Sequence, residues 1–528
     1  MTIICSLLLF SALQAQSKLS LNDYGWKEAK TGVQRTKVLY DAQSAAVRHR
    51  TTVDYSGIQK IELEITNDFK SIPLTGHDDF CGIEFVVKND AKDVALFSLV
   101  KKAEAILAEK RLLDGAQFSS VPELRNGEHL LVIKDNNLWV DNRVGYNYGH
   151  TRKDILLIRD GTSLNKVIAP YNNAQSSPTC KVIPVTDGNL IVGNFTFRRA
   201  AGCKFKTFCL RIQGVAHLNI KHITIYTPES DFSGDRAIKI TDCADVTLKD
   251  ITINGTYSQR KKYGYGININ NTWKTRFENV RGRAQWGLLG NNNMSDTYLE
   301  NCALNRFDIH CYGRNVFMKD CIFNGGSTGW YSGGSSIYGV IRYNHCTFVN
   351  CTPFANGNSY KTAVPVDVVF NDCVFNATNK KHSIFETKVL NNKMNPRLGL
   401  VQKCLPNIVI RNMTINVPKG VKEVFLYDVG KSPYNDEVGY LQNVKIDGFY
   451  IKCGDPAQKV DFALISSPVK TCKPINVLIT NLIAPTSQLY TLISSNRKTK
   501  VILSRASFSN IEKRKGVFLK MEKCKITQ

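Results

Sequence analysis

At 528 residues, with 43% hydrophobic and 22% charged side chains, the chain is too long for one compact core and too apolar for disorder, so several domains or an elongated repeat must bury its apolar residues. The composition carries neither a collagen-like nor a coiled-coil bias. Lys and Arg total 69 against 45 Asp and Glu, a net charge of +24, and a field of that sign gathers polyanions: nucleic acid, an anionic membrane or an acidic glycan. The plainer use of such charge is solubility.

Met1 to Gln16 read MTIICSLLLFSALQAQ, an apolar run closing on small residues at Ala12 and Ala15, which predicts a cleaved export signal over residues 1–15. No Lys or Arg precedes the run, a departure from the usual pattern. Cys5 stands before the apolar core rather than at its end, so no lipid anchor is expected. No later stretch reaches the roughly 20 apolar residues of a membrane helix, so membrane insertion is not expected. An exported protein (periplasmic, cell-surface or secreted) meets acidic glycan rather than nucleic acid, and an acidic polysaccharide is the expected partner.

Residues 16–115 read as an N-terminal β-rich capping region, with alternating runs such as IQKIELEI and GIEFVVK. Its best helix candidate is LVKKAEAILAEKRLL from Leu99. A solenoid needs such a cap over its first open coil. Residues 116–528 are assigned to the solenoid itself.

Near the start of that region, NLWVDNRVGYNYGHTRKD (Asn137 to Asp154) is dense in Arg, Tyr, Asn and His, with glycines that let backbone approach a ligand. It would bring Arg143, Tyr146, Tyr148, His150 and Arg152 to one end of a groove; a capping loop with solvated charges is the alternative.

From Leu218 onward one grammar repeats: apolar, x, apolar, x, Asn or Asp or His, apolar, x, apolar. Copies are LNIKHITIY, VTLKDITIN, TRFENVRGR, TYLENCALN, VFMKDCIFN, IRYNHCTFV, VVFNDCVFN and IVIRNMTIN, with weaker ones at LQNVKIDGF, VLITNLIAP and VILSRASFS. The polar position falls at His222, Asp250, Asn279, Asn301, Asp320, His345 and Asp372, steps of roughly 20 to 30 residues, enough for a coil of three short strands plus loops. Period-2 alternation gives strands with one buried face, and the Asn/Asp position suits a left-handed bend. The pattern predicts an all-β fold, a right-handed parallel β-helix with three strands per coil. Ile223, Ile225, Ile251, Ile253, Cys302, Leu304, Cys321, Phe323, Cys346, Phe348, Cys373 and Phe375 would form its interior ladder, so these cysteines are expected as buried thiols rather than staples. His222 and His345 sit at the corner and read as structural. A β-sandwich, the competitor, gives no reason for one corner and one Cys slot to recur coil after coil.

With inward residues committed to packing, function must come from outward residues and loops. Gln259 to Tyr338 hold QRKKYGYGININN, RGRAQWGLLGNNNM, NRFDIHCYGR and STGWYSGGSSIYG. Alternation in NRFDIHCYG sets Phe307, Ile309 and Cys311 on one face and Arg306, Asp308, His310 and Tyr312 on the other. His310 is of the residue type able to exchange a proton near neutral pH, Asp308 can orient a partner, and Arg306 or Arg314 can grip a carboxylate in two places. The coils before supply Asn291, Asn292 and Asn293, then Tyr263, Tyr265 and Asn268. Trp286, Trp330 and Tyr331 are candidates for stacking on sugar rings. The bland alternatives are a surface His310 bonded to Asp308, and tryptophans packed at loop bases.

The alternating coils, the Asn/Asp corners and the NRFDIH segment preceded by GNNN resemble exported, pectin-lyase-like β-helix proteins that act on acidic glycans, nearest to lyases of glycosaminoglycans of the chondroitin and dermatan sulfate type. The fold likeness runs from about residue 120 onward. The resemblance implies β-elimination, with His310 as base, Tyr312 or Tyr265 as acid, and Asn292 with Arg306 or Arg314 on the uronate carboxylate. Asn268, Asn291, Asn293, Asp308, Trp286, Trp330, Tyr331, Arg143, Tyr148 and His150 are the expected substrate contacts. Calcium-dependent members of such families cluster acids beside Lys and Arg; no dense Asp/Glu cluster recurs here, so no cofactor or metal is expected and calcium has no support. A monomer is expected. Two other readings stay open: a β-helix glycoside hydrolase on an acidic, pectic glycan, which needs two carboxylic acids on one groove, and a glycan-binding protein or adhesin without catalysis.

Overall fold

The computed structural model describes residues 18–527 apart from 91–93, 141–149, 169, 172–175, 201–206, 227–236, 255–264, 283–286, 310–312, 326–331, 335–336, 357–365, 378–380, 388–406, 430–442, 467–475, 492–498 and 514–515. The expected export signal therefore lies outside the described residues. None of the described helices is long and apolar enough to cross a membrane.

The chain is a right-handed parallel β-helix. Corners hold its coils in register. Asn194, His222, Asp250, Asn279, Asn301, Asp320, His345, Asp372, Asn412, Gly448, Asn481, Arg505 and Lys523 occupy one corner column, and every one has a left-handed backbone, with φ from 51° at Asn301 to 81° at Gly448. A left-handed residue costs roughly 1–2 kcal/mol unless it is Gly, or an Asn or Asp whose short polar side chain bonds locally. Here the side chains also bond along the column. Asn279 Nδ2 donates to Asp250 Oδ1 at 2.6 Å, and Asn412 Nδ2 donates to Asp372 Oδ1 at 3.1 Å. His222 lies 3.4 Å from Asp250, and His345 lies 3.4 Å from Asp320 and 3.7 Å from Asp372.

Because each coil returns to the same register, like side chains stack inside. All the expected interior residues from Ile223 to Phe375 are buried. Phe323 stacks on Phe348 at 5.4 Å and Tyr343 on Phe370 at 4.5 Å. Cys302, Cys321, Cys346 and Cys373 are buried free thiols.

Three expectations about the N-terminal half need correction. The solenoid starts well before residue 116, because strand Lys60–Ile65 already pairs in parallel with His77–Asp90, which in turn pairs with Leu190–Arg199. The segment from Leu99 is not a helix: Ala95–Val100 is a strand that buries Phe97 and Leu99 between Ile72–Pro73 and Phe208–Gln213, an alternation no helix preserves. The α-helix is Gly32–His49 instead. Thr31 and Gln34 close a capping box at its start, and Val38, Leu39, Ala42, Ala45 and Ala46 are buried.

The third correction concerns residues 104–184. They leave the solenoid to form an antiparallel five-stranded sheet from Glu104–Ile106, Pro178–Pro184, Glu128–Val140, His150–Arg159 and Thr162–Ser163. Its central strands Glu128–Val140 and His150–Arg159 bury apolar residues on both faces. Leu130, Ile155, Leu157 and Ile183 pack on Ala216 and Ala244 of the β-helix. Leu131, Ile133, Leu156 and Ile158 pack beneath Phe118, Leu124 and Tyr171.

The buried carboxyl of Asp78 lies in the N-terminal region. One oxygen accepts from the Gly76 amide at 2.9 Å, and the other has no hydrogen-bond partner among the described residues. Burial pushes its pKa up from 3.8 to about 6. The neutral acid is the form the fold prefers, so this stabilisation is full below the unfolded value and is lost as pH rises through about 6. Urea denaturation at pH 4 to 7 is expected to show the protein losing up to about 3 kcal/mol across that window relative to Asp78→Asn, which cannot titrate. Parallel curves would contradict this.

Candidate functional site

Period-2 alternation sends Phe307 and Ile309 into the core and turns Asp308 outward. Parallel register then places Asn268, Gly290 and Asp308 side by side on three successive coils. Tyr265 reaches over the middle coil: its hydroxyl donates to Asp308 Oδ2 at 2.7 Å. An Arg306 Nη donates to the same carboxylate oxygen. Although these groups lie on the outside of the solenoid, Tyr265, Arg306 and Asp308 are only 8%, 4% and 6% exposed. A charge pair so far from water persists only if further hydrogen bonds support it, and the Tyr265 phenol supplies one.

Two glycines make the arrangement possible. A Cβ on Gly290 would lie 2.3 to 2.5 Å from the Tyr265 ring, and one on Gly287 would lie 3.0 to 3.1 Å from the Arg306 side chain. The spacing in GLLG thus opens one slot for the phenol and one for the guanidinium stem. Asn305, which the sequence reading missed, accepts the Leu288 amide at 3.0 Å and anchors the strand entering Arg306.

The expected trio Asn291, Asn292 and Asn293 separates. Asn291 is fully buried and stands in register between the core residues Ile269 and Ile309, donating to the Asp308 carbonyl at 3.1 Å. It therefore faces inward rather than toward a ligand. Asn292 points the other way, half-buried beside Asn270, and its Oδ1 has no partner among the described residues. Asn293 is a corner residue with φ 48°; it donates to Asn270 Oδ1 at 3.3 Å and accepts the Lys153 amide at 3.4 Å. Asn268 is half-buried on the outward column.

Arg314 does not join the cluster. Its Nη1 donates to the Val167 carbonyl of the antiparallel sheet's return loop at 3.2 Å. Together with the Lys153–Asn293 bond, this seats the sheet against the same coils as a wall. His150 opens the strand His150–Arg159 opposite Val140. Arg152, expected at the groove, instead lies buried with its guanidinium 3.4 Å over the Tyr171 ring, 3.6 Å from Asp154 and bonded to the Pro170 carbonyl at 2.9 Å. Asp154 also accepts the Tyr171 hydroxyl at 2.8 Å and the Ile168 amide at 2.6 Å, and burial raises its pKa to about 6. This knot is the wall's own core. His310, Tyr312, Trp286, Trp330, Tyr331, Arg143 and Tyr148 lie outside the described residues.

No protein-family model matches the chain, and no curated protein matches it. Among solved structures it is similar to the tailspike protein gp49 from Pseudomonas phage LKA1, at TM-score 0.59 and 13% identity over 90% of this chain and 83% of that one. It also aligns with the gp54 tailspike of Acinetobacter baumannii bacteriophage AP22 in complex with A. baumannii capsular saccharide (TM-score 0.46, 10% identity, 86% and 79% covered). The Pseudomonas phage phi297 tailspike gp61 aligns at TM-score 0.44 and 12% identity, over 96% and 82%. The first of these likenesses supports the β-helix fold; chemistry has to be argued from the cluster.

The glycine slot is directly testable. Gly290→Ala is expected to lower stability by about 1–3 kcal/mol through overpacking against Tyr265. Gly188→Ala, which meets open space, is the control and should be neutral. In a double-mutant cycle read by urea denaturation, Tyr265→Ala should remove most of the Gly290→Ala penalty; strictly additive effects would show that the ring does not occupy the slot.

Proposed function

We propose that the protein is a polysaccharide lyase that cleaves a uronate-containing acidic glycan, of the chondroitin or dermatan sulfate kind, by β-elimination on the face that carries Asp308. The observation that supports this reading best is the meeting of the Tyr265 phenol and the Arg306 guanidinium on Asp308, two residues before His310 in the chain. The net charge of +24 suits a polyanionic substrate.

In this reading His310 removes the C5 proton of the uronate. The electron pair of that C–H bond becomes the C4=C5 double bond, the C4–O bond breaks, and the leaving oxygen takes a proton from a phenol. Tyr265 is the acid within the described cluster, and Tyr312 is its competitor on the sequence. Arg306 is held by Asp308, so its part is to position Tyr265 and stabilise the phenol's charge as its proton departs. The substrate carboxylate then falls to the amides of Asn292 and Asn268 on the neighbouring coils, where fixed dipoles stabilise the enolate-like charge. Among the described residues of strands Tyr265–Asn270, Gly287–Asn292 and Phe307–Ile309, Asp308 is the one carboxylate, which does not make the pair a glycosidase uses.

The test is ultraviolet absorbance of the unsaturated uronate while the protein acts on chondroitin sulfate, dermatan sulfate, hyaluronan, heparin and pectin. A rise is expected on a glycosaminoglycan, reduced about 10²–10⁴-fold in His310→Ala and in Tyr265→Phe if Tyr265 is the acid. Full activity in Tyr265→Phe assigns the acid to Tyr312. New reducing ends without the absorbance would establish hydrolysis, and binding without either product would establish a non-catalytic glycan receptor.

A further inference from the structure

One strand further along each coil, past the Asn271 and Lys274 corners, register places Arg276, Tyr298, Phe317 and Arg342 side by side on four successive coils. All four face outward, since the flanking columns Thr275–Thr297–Val316–Ile341 and Phe277–Leu299–Met318–Tyr343 are buried. The three residues from Arg276 to Phe317 are partly exposed and Arg342 is exposed. The Arg276 guanidinium sits 4.6 Å from the Tyr298 ring centre, and Tyr298 stacks on Phe317 at 5.2 Å with 20° between planes.

The next outward column shows what an ordinary solvated ladder looks like here. Lys249 pairs with Glu278 at 3.5 Å and Lys319 with Glu300 at 2.7 Å, so its charges cancel coil by coil. The aromatic column does not cancel: neither Arg276 nor Arg342 forms an ion pair with a described residue. Ring stacking alone would explain the two aromatics but not a guanidinium at each end. The stacked rings turn their faces to one another and their edges to solvent, and the edge of an aromatic ring is its electropositive rim. Two arginines whose backbones stand three strand spacings, about 14 Å, apart thus bracket a rim of the same sign.

We propose that Arg276, Tyr298, Phe317 and Arg342 form a polyanion-binding strip that holds an acidic polysaccharide on a face of the solenoid separate from the Asp308 cluster. Carboxylate or sulfate groups bridge the guanidiniums, and the ring edges and Tyr298 hydroxyl contact the sugar between them. Single-stranded nucleic acid fits less well, because its bases stack on ring faces and the stack together with Arg276 takes up three of the four. That a polyanion binds here rests on the strip's own geometry; that the polyanion is a glycan rests on the proposed function.

Affinity electrophoresis through gels containing chondroitin sulfate tests it, in the His310→Ala background so that the matrix survives. The parent is expected to be retarded in a salt-sensitive way. Arg276→Gln with Arg342→Gln should weaken retardation about tenfold at unchanged melting temperature, and Tyr298→Leu with Phe317→Leu, which keeps apolar cover but removes the rings, should weaken it as well. With His310 intact, both double variants should turn over a short oligosaccharide at the parent rate. Unchanged retardation of the arginine variant overturns the strip, as does a parent that no acidic glycan retards or an oligonucleotide that outcompetes the glycan. Strip-dependent retardation without unsaturated product would leave the strip standing and remove the lyase reading.

Discussion

The structure depends on a single backbone constraint: every coil has to turn the same corner in the same place. The left-handed residue of the long corner column, running from Asn194 to Lys523, meets it. Asn, Asp, His and Gly fill most of its positions because they tolerate that backbone or bond along the column. Arg505 and Lys523 take it over only in the last coils. Once the corner repeats, register follows, and side chains are sorted into columns. Interior columns then select for shape, which is how thiols and aromatic rings come to stack on their own kind.

Columns also explain how a polar cluster arises on the outer face of a solenoid. Residues far apart in sequence, such as Tyr265 and Asp308, become neighbours separated by one strand, and a phenol spans that gap if the intervening position is glycine. The cluster is an unfavourable thing to bury. A sealed Arg–Asp pair contributes little net stability, since desolvation offsets the attraction between charges. Apolar residues would close this face at least as well, so its retention is better understood as positioning than as stability.

Much of this was legible in the sequence, and the boundary of legibility is physical. Alternation is local, so the corner residues, the Cys slot and the shared face of Arg306 and Asp308 could be read from nine-residue windows. Alternation resets at each corner, however. Asn291, Asn292 and Asn293 look like one polar loop in the sequence but are an inward residue, an outward residue and the corner itself. The antiparallel sheet was missed for a related reason: a local window shows that a segment is a strand but not which strand it pairs with or in which direction. A helix was expected in LVKKAEAILAEKRLL, whereas the local signal that marks the helix Gly32–His49 is the capping box of Thr31 and Gln34, where the backbone's first amides find their acceptor.

The wall and the solenoid are joined in a way that matters for the cluster beside it. The wall has a core of its own around Phe118, Leu124 and Tyr171, with the Arg152–Asp154 knot against Tyr171. It rests on Ala216 and Ala244, with Trp273 packed alongside, under Leu130, Ile155 and Leu157. Around that seat the contacts are polar and specific: His217 lies 2.8 Å from Glu128 on the wall and 2.9 Å from Asp245 on a corner, Asn293 takes the Lys153 amide, and Arg314 takes the Val167 carbonyl. Apolar contacts do not specify the sheet's rotation, and directional polar bonds from two corner residues, His217 and Asn293, and from Arg314 do. The wall is thus fixed by His217 and Asn293, corner residues outside the long column, and by Arg314, on the same coils whose register brings Tyr265, Arg306 and Asp308 together.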